Sequence, residues 1–166
     1  MRRINRLLVG MVALLVLGVT VRADEEKISP DKLPAKVMAA VKERFPGAEF
    51  TSITKETMDK NVVYDIELKH QGRKYEMDIK EDGTVLEVEK EIALKDVPAA
   101  VAAAIEAKYP KSTIKEVMEV NIVKGKEEKP DHYEVVIETA DKKKLELEVA
   151  LDGKSIKGGE AEKDKK

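Results

Sequence analysis

One pattern of apolar and polar positions occurs twice along the chain. Leu33 to Pro46, LPAKVMAAVKERFP, returns sixty-four residues later as Val97 to Pro110, VPAAVAAAIEAKYP. Within each copy the apolar residues follow the spacing of a helix. The prolines set its bounds, because proline is tolerated in the first turn and disfavours helical geometry in the residue before it. The sequence therefore predicts two short helices, each of which must dock on something to be stable.

The period of the pattern changes to two after each helix. Such alternation is typical of antiparallel strands that bury one face. The clearest hairpins are Tyr64 to Leu68 with Tyr75 to Ile79, around Gln71-Gly72, and Tyr133 to Ile137 with Leu145 to Val149. A less regular strand precedes each hairpin, near 50–57 and 114–123, and Asp-Gly turns at 82–83 and 152–153 lead into last strands at 84–91 and 154–157. Each copy is thus predicted to be one helix followed by four strands.

These elements predict an α+β protein of two αββββ repeats, at 28–92 and 93–157. We expect the repeats to share one twisted antiparallel sheet with both helices packed on one face, because the alternation gives the sheet a single apolar face. The charged stretch GKEEKP, 125–130, occurs only in the second copy and is predicted to be a loop. Asp24 to Lys27 is predicted to be a charged lead into the fold, and 158–166 a disordered charged tail.

The first 23 residues have the pattern of a secretory signal peptide. Three arginines, Arg2, Arg3 and Arg6, precede the apolar run Leu7 to Val19, and small residues follow up to Ala23. The run is shorter than the ~20 residues of a membrane-spanning helix, so an uncleaved anchor is the less favoured alternative. The chain contains no cysteine. We therefore expect a periplasmic or secreted protein without stable membrane insertion after cleavage.

The charge of the chain bears on its partners. Removing the leader takes away four arginines and no acidic residue, which leaves 27 basic and 33 acidic residues and a net charge of −6. A nucleic-acid-binding protein would instead present a clustered basic face. The acidic balance argues against nucleic acid and favours a cationic partner or none.

The repeated helix LPxxVxxxVxxxFP and the alternating strands that end in Asp-Gly turns, YEMDIKEDG and LELEVALDG, resemble the PepSY-like family, whose tandem form is called β-lactamase-inhibitor-like. The resemblance covers roughly residues 28–156, and its motifs are patterns of hydrophobicity and turns. It implies small exported modules with helices on one side of an antiparallel sheet. It also implies a role in protein binding, with inhibition of hydrolytic enzymes suggested for some relatives, and it brings no catalytic residues.

The polar face of the first hairpin holds the candidate site. If Gln71-Gly72 is a two-residue turn, Asp65 lies opposite Asp78 and Glu67 opposite Glu76. Like charges directly opposite each other are destabilising. The four carboxylates therefore invite a cationic explanation, either a basic protein or peptide partner or a calcium ion, which takes carboxylate oxygens. The alternative is a solvated sheet face flanked by lysines.

The second copy dilutes that acidic pattern and offers little other chemistry. Aligned by the repeat, Glu134 faces Glu148, but Val136 faces Glu146. The two histidines, His70 and His132, are predicted at a hairpin end and just before a strand, and two isolated imidazoles rarely form a metal site. The serines follow no pattern of a nucleophile held by a base.

We therefore predict a non-enzymatic exported binding module without a cofactor. It would recognise a protein or peptide, such as a hydrolase that it inhibits, on the sheet face that the helices leave uncovered. Divalent cation binding by that face is the alternative. Trp, Tyr and Arg anchor tight interfaces, and this chain has no Trp and places its four tyrosines on predicted core faces, which argues against high-affinity inhibition.

Overall fold

The computed structural model describes residues 24–58 and 61–159. The repeated motif forms two α-helices, α1 (Ala35–Arg44) and α2 (Ala99–Lys108), each with a proline at its N-cap. In α1 the last turn closes where the Phe45 N–H donates to the carbonyl of Val41, 2.8 Å away. The helix ends there because the next residue is Pro46, and α2 ends in the same way. The two predicted helices are confirmed.

Within the described residues, nine strands form one antiparallel sheet in which every strand pairs with its neighbours in chain order. The predicted continuous sheet and the α+β class are confirmed. The strands are β1 (Asp24–Lys27), β2 (Glu49–Met58), β3 (Asn61–His70), β4 (Arg73–Lys80), β5 (Val85–Glu91), β6 (Thr113–Lys124), β7 (Glu127–Glu138), β8 (Lys144–Ala150) and β9 (Ile156–Gly158).

Each helix packs on the sheet through buried aliphatic side chains. Val37 and Val41 of α1 lie in a cluster with β2 to β6, and Val101 and Ile105 of α2 lie in a cluster with β6 to β8. Residues directly opposite on neighbouring strands share a face. One row of such partners joins the two clusters, and it runs Leu68, Tyr75, Lys90, Glu119, Tyr133, Val149. Both clusters therefore lie on the same face of the sheet.

The two Asp-Gly turns each pack closely against the helix of their own repeat. Gly83 and Gly153 have positive φ angles, +87° and +72°. A Cβ atom at Gly83 would lie 2.9 Å from the carbonyl oxygen of Lys36, and one at Gly153 would lie 2.5 Å from that of Ala100. Only glycine combines that conformation with so close an approach, so each turn is fitted to the first turn of its helix.

The charged segment Asp24–Lys27 is a strand, β1, and not merely a lead into the fold. It pairs antiparallel with Thr54 to Thr57 of β2. The sequence gives no alternation here because β1 is an edge strand of four charged residues, of which Glu25, Glu26 and Lys27 are exposed. Charged side chains also protect a sheet edge from pairing with other chains.

The predicted loop at 125–130 is also wrong. Gly125 and Lys126 form a tight turn, and Glu127 to Pro130 extend β7 opposite the end of β6. This end of the hairpin projects beyond the core and is exposed from Lys124 to Asp131, so no apolar alternation marks it. Pro130 fits because it lies beside a β-bulge, where a strand tolerates the missing N–H.

Two sequence predictions fall largely outside the described residues. The proposed signal peptide, 1–23, lies outside them entirely, as do residues 160–166 of the proposed tail. Of that tail, Gly158 ends β9, and the Gly159 N–H donates to the carbonyl of Glu146 at 3.0 Å. The last strand therefore begins two residues later than predicted, at Ile156, and ends one residue later, at Gly158.

Candidate functional site

The candidate site lies on the sheet face opposite the helices, which we call the distal face. The turn at Gln71 and Gly72 has positive φ at both residues, 51° and 76°. That turn sets the register of β3 and β4, in which Asp65 pairs with Asp78 and Glu67 with Glu76. The structure thus brings the four predicted carboxylates together as the hairpin geometry requires. Their proposed binding role remains a prediction.

Strand β5 adds two carboxylates that the sequence analysis missed. Glu87 pairs with Asp78, and Glu89 pairs with Glu76. Counting from Asp82-Gly83 as a two-residue turn, in which paired positions sum to 165, would have assigned both partners, because the register shift beyond Asp78 does not affect them. The signal available in the sequence was the alternation of Glu87, Val88 and Glu89.

The acidic patch, defined as these six carboxylates, forms two rows across three strands. One row is Asp65, Asp78 and Glu87, and the other is Glu67, Glu76 and Glu89. Neighbouring strands lie about 4.8 Å apart, so like charges follow each other at close range. Asp65, Glu76 and Glu89 are 7%, 6% and 5% exposed. Because burial makes charge expensive unless it is compensated, this patch favours positive charge nearby.

Lys74 shows the effect of that acidic environment on a cation. Its Nζ lies 2.5 Å from Oε1 of Glu116 on β6, which joins the two repeats across β5. Burial disfavours the ammonium form, but the hydrogen bond to Glu116 and the charges of Glu116, Glu76 and Glu67 outweigh it. Together they raise the pKa of Lys74 above its usual value. The patch therefore stabilises a positive charge at its edge.

The distal face of the second repeat is different in character. Met118 and Val120 of β6 are buried on it, at 5% and 0% exposure. The predicted pairs are confirmed: Glu134 lies opposite Glu148, and Val136 opposite Glu146. This half of the face therefore alternates apolar side chains with carboxylates.

The sequence analysis placed His132 before a strand, but it lies within β7 and is buried on the distal face. Its Nδ1 is 2.9 Å from Oδ2 of Asp131, and its Nε2 is 3.9 Å from Oε1 of Glu134. Burial opposes the charged imidazole, but Glu134, Asp131 and Glu148 raise the pKa of His132 above its usual value. The misplacement follows from the mistaken loop at 125–130.

His70 has a different environment, at the end of β3 as predicted. Its ring lies 5.6 Å from the ring of Phe45 and 6.5 Å from that of Tyr75, centroid to centroid. Phe45 and Tyr75 themselves pack at 4.5 Å. His70 therefore belongs to an aromatic cluster at the end of α1.

In 24–58 and 61–159, no three His, Asp or Glu side chains converge in a geometry that could hold a metal ion. Over those ranges, too, neither helix has the length and apolar character that crossing a bilayer requires.

Comparison with known proteins identifies the family. The family model described as "Putative beta-lactamase-inhibitor-like, PepSY-like" matches residues 19–87 and, a second time, 62–157. The comparison with curated proteins gave no match.

Two solved structures show the same fold. A BLIP-like protein from Bacteroides fragilis is 22% identical, with a TM-score of 0.51, over 76% of this chain and 84% of that chain. A structure from Bacteroides eggerthii, described as "putative periplasmic proteins", is 18% identical, with a TM-score of 0.58, over 75% and 88%. At these identities the likeness is one of fold. Together with the family match it establishes that the chain belongs to the PepSY-like, beta-lactamase-inhibitor-like family, a membership that supports a non-enzymatic binding module.

Proposed function

We propose that this protein is an exported binding module, periplasmic or secreted, that recognises a basic protein or peptide through its distal face. Inhibition of a hydrolase is the form of activity that the family description suggests. The observation that carries the proposal is the acidic patch, in which six carboxylates stand in two rows across β3, β4 and β5.

The architecture supports recognition through side chains on this face. Both helices pack on the opposite face, and the strands inside the sheet have both neighbours in place. The backbone groups of those inner strands are therefore used in the ladder. What a strand such as β4 offers a partner is its row of distal side chains, and in the first repeat that row is anionic.

The tyrosines suggest an interaction driven by charge. Tyr64 and Tyr133 are buried, and Tyr75 and Tyr109 pack against the two core clusters on the helix side. Aromatic anchors of the kind that dominate tight interfaces are therefore not supplied to the distal face by these four. We expect binding that depends on electrostatic attraction and weakens with salt.

Neutralising the patch tests this proposal. The variant Asp65→Asn, Glu67→Gln, Glu76→Gln, Asp78→Asn keeps the size of each side chain and removes its charge. We expect it to capture less of the partner from a periplasmic extract of the source organism than the wild type does. The matched control, Asp31→Asn, Glu43→Gln, Asp96→Asn, Glu106→Gln, changes the same residue types at exposed positions in the two helices and the turns before them.

The control variant is expected to capture as much as the wild type. Equal capture by both variants, each folded by circular dichroism, would move the site away from the acidic patch. A captured hydrolase would then be assayed for activity with and without the protein, and undiminished activity would exclude inhibition of that enzyme.

Divalent cation binding is the second candidate; the facing pairs Asp65–Asp78 and Glu67–Glu76 suggest it, although no three carboxylates of the described residues converge in a geometry that could hold a metal ion. Hard cations take six to eight oxygen ligands, and this candidate predicts a higher melting temperature in Ca²⁺. The same melt with the four-residue amide variant identifies the patch as the source. Absence of heat in a calorimetric Ca²⁺ titration would remove this candidate and leave the basic partner.

A further inference from the structure

His132 is a buried titratable group on the distal face of the second repeat. Its side chain is 10% exposed. Its strand partners on either side are Val120 and Ala150, neither of which can hydrogen-bond through its side chain. In the first repeat the equivalent position, by the offset of 69, is Val63, which is also buried. A histidine thus replaces an aliphatic residue at a buried position.

A β-bulge supplies the first partner of this histidine. Val120 pairs with His132, but the next residue, Asn121, pairs with Pro130, so Asp131 is the extra residue of β7. In a regular strand Asp131 would point to the opposite face from His132, because successive side chains alternate. The bulge re-aims it, and its carboxylate lies 2.9 Å from Nδ1.

Glu134 supplies the second partner, 3.9 Å from Nε2. Both ring nitrogens therefore face a carboxylate. A neutral imidazole has one N–H and no charge, whereas the imidazolium carries an N–H on both nitrogens, so it can donate to Asp131 and is attracted by the charge of Glu134. The arrangement of acceptors fits the protonated ring.

The surrounding elements reinforce this preference. Glu89 of β5 lies on the same cross-strand row, beyond Val120. Glu148 of β8 acts on the ring by its charge. Two cations on this side are already paired, Lys157 of β9 with Glu148 at 2.7 Å and Lys129 of β7 with Glu127 at 2.7 Å. Strand β6 contributes apolar side chains, so the balance of charge around the imidazole is acidic.

We propose that His132, Asp131 and Glu134 form a proton-operated latch that couples the charge of the distal face to pH. The protonated ring ties the bulge to Glu134 and offsets the carboxylates beside it. When the proton leaves, the latch loosens and this half of the face becomes more negative by one unit. The effect on a basic partner, which rests on the proposed function, is tighter binding at higher pH.

The stability consequence has a definite sign. His132 has a raised pKa in the folded protein, so the latch contributes fully below the ordinary histidine pKa of about 6.5. Its contribution is lost as the pH rises through the higher folded pKa. The fold should therefore become less stable across neutral pH on account of this one residue.

Two measurements test the latch without any partner. In an NMR titration of the histidine ring protons, we expect His132 to have a midpoint above about 6.5, and Asp131→Asn to lower it. The melting temperature of the wild type should fall as the pH rises from about 5.5 to 8.5. It should fall more steeply than the melting temperature of His132→Gln. His70→Gln is the matched loss of an imidazole, and a change of slope as large as that of His132→Gln would show that the effect is not specific to His132. A His132 midpoint at or below the ordinary value, or one unmoved in Asp131→Asn, overturns the latch.

Binding of decalysine in low salt tests the link to the proposed function. One unit charge at contact distance in water corresponds to about a fivefold change in affinity. We expect the wild type and His70→Gln to bind decalysine about fivefold more tightly at about pH 8.5 than at about pH 5.5. The variant His132→Gln should bind it equally tightly at both pH values. Equal wild-type affinity at both pH values overturns the coupling. Failure to bind decalysine at either pH overturns both the coupling and a basic partner, while the NMR titration still judges the latch itself.

Discussion

The two repeats have nearly the same core and very different distal faces. Val37 and Val101 are fully buried on the sheet-facing sides of α1 and α2. Met77 and Leu147, at equivalent positions in β4 and β8, are fully buried as well. All of these are aliphatic or nearly so, and of similar volume. The packing of a helix on a sheet leaves little room for change, because interiors are close-packed.

The equivalent rows of the distal face have changed in charge and polarity. In the first repeat Asp78 has acidic partners on both sides, Asp65 and Glu87. In the second repeat the equivalent Glu148 pairs with Glu134 on one side and with Lys157 on the other. The Lys157 ammonium lies 2.7 Å from the Glu148 carboxylate.

This difference indicates that the two faces of the continuous sheet have different roles. The helix side preserves the fold in both halves. The distal side offers a concentrated negative charge in the first half, and apolar side chains with a titratable histidine in the second. The predictions below test, in turn, the shared part and the divergent part of this comparison.

The largest effect is expected in the shared core. Leu68 and Ile137 occupy equivalent positions in β3 and β7, and both are 0% exposed. Leu68→Ala and Ile137→Ala should each lower the free energy of unfolding by about 2–5 kcal/mol. Because β5 and β6 join the repeats in one sheet, each variant should shift a single transition in urea denaturation followed by circular dichroism.

The exposed neighbour Lys69 provides the control for Leu68, and Lys69→Ala should unfold close to the wild type. Two separated transitions, with only one displaced by each core variant, would show that the repeats are independent folding units. That result would contradict the view that the two repeats share one cooperatively folded sheet.

A smaller effect is expected at the glycine turns. Gly72 and Gly153 have similar φ angles, +76° and +72°, but a Cβ at Gly72 meets no atom within 4 Å, whereas one at Gly153 meets the carbonyl of Ala100 at 2.5 Å. Gly72→Ala should cost about 1–2 kcal/mol for the left-handed conformation alone. Gly153→Ala should cost more, because the helix or the turn must also move. Equal losses, measured by thermal melting, would mean that the contact with α2 is not fitted to glycine.

Much of the fold was predictable because local rules govern it. Proline fixes the bounds of α1, and the Gln71-Gly72 turn fixes which residues of β3 and β4 face each other. Both depend on residues close together in the sequence. The core follows from alternation, since a slip of one residue would move every apolar side chain of a strand to the wrong face.

The remaining features depend on position in the sheet, which a sequence pattern does not show. Strand β1 is charged because it lies at an edge, and Glu127 to Lys129 are charged because that end of the hairpin projects from the core. The partners of His132 are set by the irregular register of β6–β7. Four of the six carboxylates of the acidic patch were predicted, and the histidine latch was missed.

The smallest effect is expected from exchanging the charge pattern of the two distal rows. Glu87→Lys would make the β5 cross-strand partner of Asp78 basic, as Lys157 is the basic cross-strand partner of Glu148. Opposite charges facing each other across strands contribute about 0.2–1 kcal/mol, so this variant should unfold at a slightly higher urea concentration than the wild type.

The reciprocal variant Lys157→Glu should be slightly less stable, because it recreates in the second repeat the like-charge row of the first. Both differences should shrink in high NaCl, which screens exposed charges. If Glu87→Lys instead lowers stability while Lys157→Glu behaves as expected, then the acidic row of the first repeat is compensated within the protein itself. The distal face would then offer a basic partner less attraction than its sequence of carboxylates suggests.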